Sequence, residues 1–224
     1  HVMDCILLYK PAACWEGIVE QLTAQTQALI YCRRSNGLDI RVEQTEHIRW
    51  LLINGQRQSQ MDLTAPSRAI YPYVQQFIQS LSKLTSHNIL QFGLGAGELN
   101  RCILSKFSEA NLTTVEREPA IVDIYQELFQ LPETKAREQL LIGTINDFTF
   151  ACFDSVIVDI YPWPQPITAI LNSLLPLLKT DGMLLLNLPH PELCEEVQAW
   201  CQRSFQHVDI FQNPGYQNQL FCCC

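Results

Sequence analysis

ILQFGLGAGELNRCI, residues 89–103, decides how this chain folds. A short apolar run leads into Gly93, Gly95 and Gly97 at alternate positions, and a segment of helical character follows. That succession is how a parallel strand hands over to a helix around a bound nucleotide, with glycines turning the chain and letting backbone approach the ligand. A dinucleotide site asks for GxGxxG, but the sixth position here is Glu98. A carboxylate in the first helical turn occupies the positive end of the helix dipole and repels a second anion, so NAD and FAD are disfavoured. A ligand without phosphates fits better.

Downstream of this stretch, short apolar runs alternate with amphipathic segments. LTTVE (112–116) precedes PAIVDIYQELF (119–129), QLLIG (139–143) follows, DSVIVDI (154–160) precedes PITAILNSLLPLLK (166–179), and MLLLNL (183–188) precedes PELCEEVQAWCQRSF (191–205). Strand-helix repetition predicts a parallel sheet covered on both faces, with ligands at the carboxyl ends of its strands. The last piece, HVDIFQNPGYQNQLFCCC (207–224), reads as two strands around a turn with no helix between them, so the sheet ends in a hairpin. Cys222, Cys223 and Cys224 continue that apolar strand and are expected to be buried thiols rather than a lipidated tail.

Upstream, Ile40 and Val42, then Ile48, Trp50 and Leu52, recur at period two between SNG and NGQ turn signals, which predicts a small antiparallel sheet. Tyr73, Val74, Phe77, Ile78 and Leu81 follow Pro72 at helical spacing and predict a linking helix. The expected organisation is a small β domain with its helix over residues 1–84 and a nucleoside-binding domain over 85–224.

The bulk properties narrow the function. A hydrophobic share of 47% against 17% charged residues suits a globular core rather than disorder. The net charge of −8, with no Lys/Arg cluster longer than Arg33–Arg34, argues against nucleic acid as a partner. No window has the ~18 apolar residues of a membrane span, so no membrane association is expected. HVMDCILLYKPAAC (1–14) has a five-residue apolar run and no basic segment, so no signal peptide is expected and the setting reads as cytoplasmic. The ten cysteines include no CxxC pair, and the histidines are scattered, so buried thiols and no metal site are expected.

Two carboxylates stand where such a fold binds its ligand. Glu116 ends the second strand, 23 residues past Gly93, placed to accept hydrogen bonds from ribose hydroxyls. Asp159 ends the fourth, before the loop Tyr161-Pro162-Trp163-Pro164, where it could hold a substrate ammonium or take its proton. S-adenosylmethionine, or its decarboxylated form, has the ribose and no phosphate.

WLLINGQRQS (50–59), VEREPAIVDIYQELFQLP (115–132), LLIGTINDF (140–148) and DSVIVDIYPW (154–163), in this order and spacing, resemble the spermidine synthase family of aminopropyltransferases, from about residue 28 to the end. QSQMDLTAPSRAIYPYVQQF (58–77) looks closer to a divergent bacterial spermidine-synthase-like branch. The resemblance implies an α/β, Rossmann-like, seven-stranded class I methyltransferase fold ending in a β-hairpin and preceded by a small antiparallel β domain. It implies that Gly93, Gly95 and Gly97 contact the nucleoside and its tail, that Glu116 binds the ribose, and that Thr144 or Asp147 reads the adenine. Asp159 and Tyr73 become the candidate catalytic residues, and Gln58, Tyr161 and Trp163 candidate contacts to a small-molecule amine or other acceptor.

The chain departs from the family at usually acidic positions. Ala96 stands in the glycine loop, Thr144 at the adenine acid, and Pro162 three residues past Asp159, where a second carboxylate holds the polyamine. Unpaired buried ammonium is costly, so a putrescine pocket built this way binds poorly. The readings are therefore aminopropyl transfer to an amine, methyl transfer from intact S-adenosylmethionine, and a nucleoside-binding or scaffold protein without chemistry. Edge strands of the small sheet are able to pair across a homodimer.

Overall fold

The computed structural model describes residues 27–164, 166–189, 191–213 and 217–224; expectations for 1–26, including Cys5 and Cys14, lie outside the described residues. The first sheet is an antiparallel meander of β1 (Ala28–Ser35), β2 (Leu38–Gln44), β3 (Ile48–Ile53) and β4 (Gln56–Asp62), in that order. Asn36–Gly37 and Asn54–Gly55 both carry positive φ, the geometry that matches tight hairpins to the strand twist.

One face of this sheet, with Ile40, Val42, Leu51 and Met61, is buried. Val42 pairs with Leu51 and Ile40 with Ile53, so β3 turns Leu51 and Ile53 towards that core. The period-two set Ile48, Trp50 and Leu52 faces the other way. Trp50 is nonetheless covered: its indole N–H donates to Glu43 Oε2 at 3.0 Å, and the Arg57 guanidinium lies 4.5 Å from the ring centroid. Leu51 pairs with Ser59 but Leu52 with Arg57, which leaves Gln58 as the extra residue of a β-bulge.

Helix α1 (Pro72–Leu81) leads into the second sheet. Its strands are β5 (Asn88–Phe92), β6 (Asn111–Glu116), β7 (Glu138–Ile142), β8 (Phe153–Val158), β9 (Leu178–Leu188), β10 (Val208–Gln212) and β11 (Gln219–Cys223). The helices between them are α2 (Glu98–Lys106), α3 (Pro119–Leu128), α4 (Ile167–Leu174) and α5 (Cys194–Ser204). Spatial order is β10-β11-β9-β8-β5-β6-β7. The strands from β5 to β9 pair in parallel, while β11 is antiparallel to β9 and β10, as the terminal hairpin predicts. This is the Rossmann-like α/β fold expected from the strand-helix repeat.

Apolar clusters cover both faces of the large sheet. Val74, Phe77 and Leu81 of α1 pack with Leu99 and Ile103 of α2 on one face; Ile167 and Leu171 of α4 and Val197 of α5 pack on the other. A third cluster joins the sheets: Ile40, Val42, Leu51 and Met61 pack with Leu94 and Ala96 of the glycine turn and Ile121 and Tyr125 of α3. Cys102, Cys194, Cys201, Cys222 and Cys223 are buried free thiols, but Cys32, Cys152 and Cys224 are exposed, contrary to expectation, since they lie on the outer strand of the small sheet, in the loop before β8 and just past the end of β11.

Candidate active site

The carboxyl ends of the central strands converge because their register is shared. Phe92 pairs with both Val115 and Val158, Glu116 with Ile142, and Val158 with Leu186. Gly93, Glu116, Asp159 and Asn187 therefore leave neighbouring strands at one level of the sheet. Backbone bonds extend the ladder past the strand ends, from Gly93 N to Val115 O and from Asp159 N to Phe92 O, both 2.9 Å.

The glycine turn is shaped by what presses on it. A Cβ on Gly93 would lie 2.0 Å from the carbonyl oxygen of Asp159, and one on Gly97 would lie 2.0 Å from the Tyr125 ring. Both residues have positive φ, and Gly97 is the N-cap of α2. The turn thus lets Asp159 and α3 approach as closely as they do.

Asp159 Oδ2 accepts the Tyr73 hydroxyl at 3.0 Å, and Oδ1 accepts Asn187 Nδ2 at 2.8 Å. Burial pushes this carboxyl above its ordinary value, against the pull of the Asn187 and Tyr73 donors. Asn187 was not expected from the sequence. It is buried, its Oδ1 accepts Asn218 Nδ2 at 2.9 Å, and its backbone carbonyl accepts the Trp163 indole at 3.2 Å. Only the paired order of β8, β9 and β11 brings these residues together, which local spacing does not reveal.

Glu116 turns both oxygens to backbone: Oε2 accepts Leu94 N at 3.0 Å and Oε1 accepts Glu118 N at 2.9 Å. Burial raises its pKa, opposed first by these N–H groups. It clamps the glycine turn from the carboxyl end of β6. Glu98 is 3% exposed, and its Oε1 accepts the N–H groups of Ile70 at 2.6 Å and Tyr71 at 2.8 Å. Tyr71 is the N-cap of α1, so Glu98 serves two helix starts at once. Its Oε2 has no partner among the described residues, and its pKa is pushed up to about 7, mainly by burial, with the Asp159 charge adding to the rise.

The other candidates separate. Asp147 Oδ2 accepts the Thr144 N–H at 2.6 Å and hydroxyl at 2.8 Å, an exposed cap just beyond β7. Tyr161 is exposed, and its carbonyl accepts Arg117 Nη2 at 3.4 Å across the edge from β6. Trp163 is buried in the core, with its indole N–H committed to the Asn187 carbonyl. Gln58 is exposed at the bulge, with its amide donated to the Gln56 carbonyl, while Ser59 meets the turn at Gly95. Among the described residues no group of three His, Cys, Asp or Glu could hold a metal, and no helix is long and apolar enough to cross a membrane.

No family model and no curated protein matches the chain. Solved structures do. A probable spermidine synthase from Corynebacterium glutamicum is similar at 19% identity and TM-score 0.74, over 86% of this chain and 79% of that one. Spermidine synthase from Thermotoga maritima is similar at 14% identity and TM-score 0.63, over 87% and 72%. Human methyltransferase-like protein 13, solved with SAH, is similar at 20% identity and TM-score 0.54, over 67% and 77%. The fold is the one shared by spermidine synthases and class I methyltransferases.

Proposed function

We propose that this chain is a transferase that uses an adenosyl sulfonium ligand and passes its aminopropyl group to an amine. The observation that carries the reading is the Asp159 carboxylate, held by Tyr73 and Asn187 against the glycine turn. Asp159, Glu116 and Glu98 gather around that turn, and three carboxyl groups there suit a cationic sulfonium and an ammonium, which would favour their ionised forms, better than a phosphate. The glycine turn and Glu116 would hold the nucleoside, and Thr144 and Asp147 border the adenine.

In the reaction the amine nitrogen forms a bond to the methylene carbon beside sulfur. The carbon–sulfur bond breaks with its electron pair going to sulfur, and the amine proton passes to Asp159. A carboxyl raised by burial accepts that proton more readily than an ordinary one. The acceptor is an amine other than putrescine, since Pro162 supplies no charge for a distal ammonium. The likeness to spermidine synthases also extends over more of the chain, 86% and 87%, than the likeness to the methyltransferase, 67%.

Titration calorimetry with S-adenosylmethionine, its decarboxylated form and methylthioadenosine tests this reading. Preference for the decarboxylated ligand is expected. Preference for the intact one would replace aminopropyl with methyl transfer, and binding of none at millimolar concentration would leave the fold as scaffold. Asp159→Asn is expected to abolish turnover while leaving methylthioadenosine binding intact; unchanged turnover would remove Asp159 from the chemistry.

A further inference from the structure

We propose that Asn187 and Asn218 form a positioning relay, in which Asn218 at the start of the terminal hairpin strand fixes which end of the Asn187 amide faces Asp159. The inference deepens the reading above and rests on it for what Asp159 does.

An ionised carboxylate only accepts, so the amide end that meets Asp159 must be Nδ2, as the 2.8 Å contact has it. Asn187 Oδ1 then faces the protein interior and needs a donor. Asn218 Nδ2 supplies it at 2.9 Å, and both residues are buried, 7% and 6% exposed. With the Asn218 amide as it stands, inverting the Asn187 amide would set oxygen against carboxylate and nitrogen against the Asn218 amide nitrogen, two repulsive contacts in place of two bonds. The chain of donors runs one way, and the last acceptor, Asn218 Oδ1, is buried without a partner among the described residues. The other side of Asp159 has its own support. Tyr73 donates from α1, whose start Glu98 holds, and the Asp159 charge in turn opposes ionisation of Glu98. Asp159 is thus held from two directions, and the relay keeps one oxygen committed while the other shares Tyr73 with the active site.

The test reads Asp159 directly, by carbon-detected NMR titration of protein labelled at aspartate side-chain carboxyls, with the Asp159 signal assigned through Asp159→Asn. Asn187→Leu removes the donor and should move the Asp159 midpoint upward. Asn218→Leu adds no charge, frees the Asn187 amide to invert, and should move the midpoint upward by a smaller amount. The double variant should titrate like Asn187→Leu alone, because Asn218 acts only through Asn187. Additive shifts, or a wild-type midpoint in either single variant, would overturn the relay. Asn187→Ala and Asn218→Ala serve where a leucine variant does not fold, with the same ordering. A wild-type protein without transfer activity would remove the proposed function yet leave these titrations standing, whereas unchanged titrations in an active enzyme would remove the relay alone.

Discussion

Glu98 has one oxygen shared by two backbone N–H groups and a second oxygen buried with no donor among the described residues. A carboxyl whose folded pKa is raised binds its proton more tightly in the folded chain than in the unfolded one. Its contribution to stability is therefore fully present below the ordinary value of 4.5 and is lost as pH climbs to about 7. At ~1.4 kcal/mol per unit, the change amounts to about 3 kcal/mol across that window. Glu98→Gln keeps an acceptor for Ile70 and Tyr71 but does not ionise. Urea unfolding at pH 4 and pH 8 should show the native chain losing about 3 kcal/mol relative to this variant, and a constant difference would mean that Glu98 ionises normally. Sequence reading recognised Glu98 as a charge at a helix start. Its partners lie 28 and 27 residues away in sequence, so its capping of α1 had no local signal. The same holds for Asn187 and Asn218, whereas Asp159 was legible because a strand end beside a proline-rich loop is a local feature.

At the scale of elements, the glycine turn ranks its own residues. A Cβ on Gly93 meets backbone, the Asp159 carbonyl at 2.0 Å, and backbone cannot rotate away. On Gly97 it meets the Tyr125 ring, whose hydroxyl is fixed on Glu138 at 2.9 and 3.0 Å. On Gly95 the nearest atom is Ser59 Cβ at 3.5 Å, so only the positive φ opposes a side chain. Alanine should cost about 1–3 kcal/mol at Gly95 and more at Gly93 and Gly97, where collision adds to strain. Methylthioadenosine affinity should fall most for Gly93→Ala, because Asp159 must move with it. Unfolding and calorimetry on the three variants check the order; equal costs would mean that the turn relaxes as a unit. The alternation that predicted these elements was sufficient for β5 to β11 and the helices between them. It gave no sign of the bulge at Gln58, which shifts every later side chain by one place and leaves no mark in composition.

For the whole molecule, the sequence suggests a boundary near residue 84, since amphipathic patterns say which face of an element is apolar and never which element will cover it. The cluster that joins Ile40, Val42 and Leu51 to Ala96, Ile121 and Tyr125 crosses that boundary, and one buried cation crosses it too. Arg101 of α2 is 0% exposed and donates to the carbonyls of Pro66 at 2.8 Å, Gln60 at 2.9 Å and Ala96, tying β4, the segment before α1 and the glycine turn to one guanidinium. Burial lowers its pKa, and the Glu98 charge is the leading influence that sustains it. Arg101→Met keeps much of the side-chain volume but strands the carbonyls of Gln60 and Ala96, which are buried, and of Pro66, which is half-buried, and leaves Glu98 without its compensating charge. Removing one partner from such a buried set costs about 3–5 kcal/mol. Because the apolar cluster survives the substitution, unfolding should remain a single transition, coincident by tryptophan fluorescence and far-ultraviolet circular dichroism. If the two probes separate, with fluorescence changing first, Arg101 rather than the shared cluster is what couples the small sheet to the ligand-binding sheet. In that outcome Arg101→Met should also weaken methylthioadenosine binding, since the glycine turn would lose its hold on β4.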